Sequence, residues 1–90
     1  MAAPPKPTVI IAVYGGLRDG KPDKAEAKIV TGALQKAIDN TPGEKLEINN
    51  KTLGVDPAHL VEKQFGAIVD VNGKLRVFVC KEKQTIDFTT

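Results

Sequence analysis

The chain has no tryptophan, and cysteine, histidine, tyrosine and methionine occur once each. A lone Cys80 excludes an internal disulfide, so stability cannot rest on one. One histidine and one cysteine make none of the ligand spacings of a metal site. His59 is also the single imidazole base available to a nucleophile. Cys80 lies in mid-strand in "RVFVC", where a small buried hydrophobe is expected rather than a reactive thiol. Acidic residues are scattered singly, so paired-carboxylate hydrolysis has no local signature. Catalysis is therefore not expected, and neither is a cofactor.

Other absences bound the partners. No stretch approaches the ~20 apolar residues of a membrane span, and "MAAPPKPT" lacks the charged-then-apolar order of a secretory signal. Thirteen Lys and Arg against eleven Asp and Glu leave a net charge of +2. No five like charges run together, so electrostatic capture of nucleic acid or anionic lipid has little to act on. The expectation is a soluble protein, cytoplasmic or non-classically released, that binds neither nucleic acid nor membrane. The triplet Asn50-Lys51-Thr52 would matter for glycosylation only in a secretory route.

The 90 residues are enough for one domain with a modest core. Pro4, Pro5 and Pro7 favour an extended, flexible arm over residues 1–7, with a single domain from residue 8 to 90. "TVIIAVY", Thr8 to Tyr14, is apolar at both parities, as in a strand covered on two faces. The glycine-rich "VYGGLRDGKP" that follows approaches a P-loop. Its decisive position is Pro22, which has neither the hydroxyl that holds Mg²⁺ nor an N–H for phosphate; a turn leaving the first strand is the better reading.

"PDKAEAKIVTGALQKAIDN" carries the one helical period, with Ile29, Val30, Ala33, Leu34, Ala37 and Ile38 on one stripe, and it stops at Asn40, Thr41, Pro42 and Gly43. Its start is open: either Asp23, through a capping-box-like entry with Glu26, or Thr31 after a short extended piece around Lys28 to Val30. "KLEIN" alternates as a half-buried strand. In "GVDPAHLVEK", Asp56 as N-cap and Pro57 at the first position predict a helical turn over Ala58 to Glu62.

"QFGAIVDVNGKLRVFVCKE" reads as two strands around Asn72-Gly73, a type I′ pair. With those two in the loop, residue i pairs with 145 minus i. Phe65, Ala67, Val69 and Val71 then share a face with Lys74, Arg76, Phe78 and Cys80, while Ile68, Leu75, Val77 and Val79 lie on the other. Both faces are substantially apolar, so one takes the helix and the second needs chain, ligand or another copy. A last strand in "QTIDF" completes an α+β domain: a mainly antiparallel sheet of about five strands, one main helix and a short helical turn, with spare apolar surface favouring a homodimer.

What remains is binding. Tyr14, Asn49, Asp56 and His59 are the candidate ligand-binding residues: Asp and Asn presented from strand ends beside an aromatic ring suit sugar hydroxyls. Each also has a structural explanation, as helix cap, turn former or core aromatic. The order Tyr14-Gly15, Val30-Thr31, Leu34-Gln35, Leu46-Glu47-Ile48, "LGVDP" at Leu53 to Pro57, and Lys63-Gln64-Phe65 leading into the Gly73 hairpin resembles the C-terminal domain of a mitochondrial J-domain protein family. Similar modules accompany secreted proteins and glycan-acting enzymes, and the likeness runs from about Ala12 to Phe88. Ile29 stands where that family usually has an acidic residue, and Ala58-His59 where Pro-Gly is common. The resemblance implies a helix starting at Thr31 and an accessory, non-catalytic module. The function expected is a small carbohydrate-binding, lectin-like domain, with protein–protein docking or a structural interaction module as the alternative.

Overall fold

A computed structural model describes residues 7–17, 20, 21, 23, 25–43, 45–57 and 61–89. They form an α+β fold in the order β1 (Thr8–Leu17), β2 (Ala25–Ile29), α1 (Thr31–Asn40), β3 (Leu46–Glu47), α2 (Asn50–Leu53), β4 (Gln64–Val71), β5 (Lys74–Lys81) and β6 (Thr85–Ile86). Four antiparallel strands make the main sheet, in the order β2-β1-β4-β5, and β3 pairs with β6 in a second small sheet. No helix among the described residues is long and apolar enough to cross a membrane. Residues 1–6 of the expected proline arm lie outside the described residues. Pro7 is buried, with its carbonyl accepting a hydrogen bond from Gln35 Nε2 at 3.0 Å.

The hairpin follows turn chemistry. Asn72 and Gly73 both take positive φ, 55° and 84°, which the type I′ turn demands. The register is the expected one, from Val71 opposite Lys74 to Gln64 opposite Lys81. In β1 a bulge at Ile10 breaks the alternation, so that Val9 and Ala12 both face the core. The other apolar positions of the run, Ile11 and Val13, face away from the core.

The chain leaves β2 after Ile29 and turns into α1, so only Val13 to Leu17 of β1 have a strand beside them on that edge. The exposed edge of the earlier half is closed by the helix. Val30 N–H donates to Ala12 O at 2.8 Å, and Ala12 N–H donates to Thr31 Oγ1 at 3.1 Å. Gln35 then clamps the strand from both sides of its amide, accepting from Val9 N–H at 2.7 Å through Oε1 while Nε2 reaches Pro7. Of the two helix starts, Thr31 is the observed one and Asp23 is not. Val30 occupies the cap position and its aliphatic side chain has no acceptor to cap with, while the Thr31 hydroxyl, one residue on, accepts from β1.

Leu34 and Ile38 of α1 bury against the sheet with Val30, but Ile29 leaves the expected stripe and ends β2 in solvent. The remaining cover comes from the C-terminal segment. Phe88 packs edge-on against Phe78 and Phe65, with ring centroids 4.9 and 6.2 Å away. "KLEIN" contributes Leu46 and Ile48 to this core through the small sheet.

The predicted turn over Ala58 to Glu62 is not supported where it can be seen: Val61 and Glu62 are non-helical, and Ala58, His59 and Leu60 lie outside the described residues. The short helix lies earlier, at Asn50–Leu53, because the Asn49 side chain accepts the Thr52 N–H at 2.7 Å and Gly54 closes the helix at φ 70°.

Gly15 marks the closest approach in the sheet. A Cβ there would collide with the backbone of Glu26 and Ala27, whereas one on Gly66 would meet only Val13 Cγ2 at 3.8 Å and Phe78 O at 3.9 Å. Gly15→Ala is therefore expected to destabilise by ~1–3 kcal/mol, and Gly66→Ala by less than ~0.5 kcal/mol. Urea unfolding of the two variants in dilute solution checks the difference; equal costs would contradict this packing of β1 on β2.

Candidate functional site

Two regions compete as the working surface. The first collects most of the residues picked from the sequence. Tyr14 is wholly buried on β1, and its hydroxyl donates to Asn50 Oδ1 at 2.7 Å. The adjacent Asn49 caps α2 and donates from Nδ2 to Glu47 Oε2 at 2.8 Å. Asp56, just beyond α2, lies 2.9 Å from Lys63 Nζ. His59 lies outside the described residues. Tyr14 and Asp56 thus share one neighbourhood, whereas Asn49 turns to its own helix and to Glu47.

Lys63 was not picked from the sequence, yet it organises the cluster. It is only 3% exposed. Its Nζ reaches Asp56 Oδ1, donates to Val61 O at 2.9 Å and stands 3.9 Å from Glu82 Oε1. The main chain takes part too: Lys63 N–H donates to the Glu82 carboxylate Oε1 at 3.1 Å, and the backbones join through Glu82 N–H to Lys63 O at 2.8 Å. A buried ammonium left without such partners would carry several kcal/mol of desolvation. The cluster therefore fixes where the segment after α2 and the turn after β5 sit on the sheet. Among the described residues no buried side-chain polar atom lacks a partner.

This surrounding acts on Tyr14, whose pKa is pushed up to about 12, first by burial, then by the charges of Glu82 and Asp56. Burial likewise pushes the Cys80 thiol up, away from thiolate chemistry at neutral pH.

The second region is the face of the main sheet opposite α1. On β5 it presents Leu75, Val77 and Val79, which are 67%, 71% and 78% exposed. Ile68 of β4, Ile11 and Val13 of β1 and Ile29 of β2 continue it across the sheet. The pattern of the edge strands is inverted relative to an ordinary sheet. On β2 the charged Glu26 and Lys28 lie on the helix side and Ala25, Ala27 and Ile29 on the open side; on β5, Lys74 and Arg76 lie on the helix side, with the Arg76 guanidinium 5.9 Å over the Phe78 ring. A water-facing surface would carry those charges itself. Near one end, Gly15 and Gly66 leave a shallow depression of about 290 Å³, bordered by Val13, Leu17, Ala27 and Val79.

The fold and these two regions define a small α+β domain with one internal ionic latch and one open apolar sheet face. No family model, no curated protein and no solved structure matches this chain.

Tyr14 is the chain's one tyrosine and there is no tryptophan, so its ionisation can be followed directly by phenolate absorbance. The native protein should titrate near 12, and the urea-unfolded chain near the ordinary value of about 10. Because the folded value is the raised one, Tyr14 contributes stability that is complete below pH ~10 and is lost as pH rises toward ~12, by at most about 3 kcal/mol. Tyr14→Phe should remove that alkaline loss; a native titration near 10 would contradict the buried, acid-flanked position.

Proposed function

We propose that this protein is a non-catalytic binding module whose working surface is the open face of the β2-β1-β4-β5 sheet, docking an apolar protein surface. The inverted edge strands carry this reading: on β2, and on β5 from Lys74 to Val79, the aliphatic side chains point away from the chain's own core while the charges point toward the helix side; Lys81, at the end of β5, lies on the open side. Desolvating an aliphatic surface of this kind drives association without directional chemistry, and flat sheet faces suit it. The raised Cys80 thiol and the fully partnered Lys63 cluster give a nucleophile or base little support. An accessory role is also what the resemblance to the J-domain family's C-terminal module implies.

Carbohydrate recognition around Asn49, Asn50 and Asp56 draws on a narrower observation, the gathering of amide and carboxylate side chains at one end of β1. The Tyr14 ring has no exposed face to stack on a sugar, and the Asn50, Asn49 and Asp56 oxygens already have partners. We therefore rank it second. Binding of a defined sugar on a glycan array, abolished by Asn50→Ala, would reverse that order.

The docking reading is tested with Val79→Lys. At nanomolar concentration, where self-association is diluted out, phenyl-coated beads should capture the wild-type chain and fail to capture the variant. Urea stability should change by no more than ~0.5 kcal/mol, as for an exposed position. Equal capture of both, or a loss of ~2 kcal/mol or more typical of a core site, would overturn the reading.

A further inference from the structure

We infer that the occupant of the open face is a second copy of this chain, packed face to face across a two-fold axis that lies between the sheets and perpendicular to the strands. The inference rests on the docking reading above and adds the partner and the geometry.

Area is the first argument. Taking about 150–180 Å² for a fully exposed aliphatic residue, the seven large aliphatic residues named on this face, together with Leu17, leave roughly 700 Å² in water. That exceeds the ~300–600 Å² of the largest patch on an ordinary monomer and approaches the ~800 Å² per partner of a stable interface. No larger partner is needed to cover it.

Shape and charge supply the second. On β4 the outward positions run Gln64, Gly66, Ile68, Asp70, paired across to Lys81, Val79, Val77 and Leu75. An axis passing midway between the Gly66 and Ile68 rows lays β4 over β4 in opposite directions. Each Ile68 then faces the depression above the partner's Gly66, and Val77 meets the partner's Val79. The same operation brings Asp70 to the level of the partner's Lys81, twice by symmetry. The interior rows carry no charge on this face, so like meets like without repulsion, while the one acidic and the one basic outward residue of the hairpin lie at opposite ends. Two sheets stacked in this way form an aligned sandwich, with strands crossing at about 30°. A two-fold contact of this kind closes on itself and goes no further than the dimer.

Sedimentation equilibrium across micromolar to millimolar concentrations tests it. The wild-type chain should reach twice its 9.6 kDa mass, and Val77→Glu should remain a folded monomer. Lys81→Glu, which would set two acidic residues against each other, should weaken the dimer about tenfold. Adding Asp70→Lys to Lys81→Glu should restore most of the loss. A wild-type monomer at every concentration, or a dimer indifferent to Val77→Glu, overturns the second-copy inference. A monomer whose capture on phenyl beads still depends on Val79 would leave the docking reading standing with a different partner; a monomer with no such capture would overturn both.

Discussion

In a β-strand successive side chains point to opposite faces, so a strand that is apolar at both parities asks for cover on two sides. Among the described residues one ten-residue helix, one single-turn helix, a two-stranded ribbon and a C-terminal aromatic provide that cover. All of them lie on one side of the sheet, where Leu34, Ile38, Ile48 and Phe88 meet Tyr14, Phe65, Ala67 and Val69. The other side keeps its aliphatic rows, and the edge strands send Glu26, Lys28, Lys74 and Arg76 away from it, leaving Lys81 at its margin. From that unequal division follow the placement of the charged residues, the open face and the proposal that the molecule works by being covered.

The ionic cluster around Lys63 serves the closed side. A buried ammonium shared by Asp56, Glu82 and the Val61 carbonyl ties the chain just after α2 and the approach to β4 to the turn after β5. Such a cluster gives position more than net stability. It also surrounds Tyr14 with negative charge, which is why the residue that looked like a sugar platform is an interior phenol with a raised pKa. The residues selected for binding are thus largely accounted for by the way the fold is fastened.

Legibility followed the range of the interactions. The Asn72-Gly73 register was readable because type I′ geometry is decided by two adjacent residues, and the end of α1 because Thr41 to Gly43 act locally. The helix start was not decided by local signals: Thr31 looks like a cap, but its hydroxyl bonds Ala12, 19 residues away in sequence. Asp56 likewise looks like a cap and pairs with Lys63. Nothing in "EKQF" marks Lys63 as buried, since only the fold brings Asp56 and Glu82 to it. The greasy second face of the hairpin was plain from parity alone, yet the side that α1 covers was not, and the run "TVIIAVY" does not reveal the bulge at Ile10 that puts both Val9 and Ala12 in the core.

The account turns on whether the outward aliphatic rows are sheltered when the protein is in its working state. Methyl NMR with a soluble paramagnetic agent reads this directly at Val77, Val79, Ile68 and Ile29. At concentrations where the protein is associated, these methyls should be as protected from the agent as those of Val69 and Leu34. Methyls of Val77 and Val79 that stay fully accessible at every concentration, in a protein that remains dispersed, would contradict it.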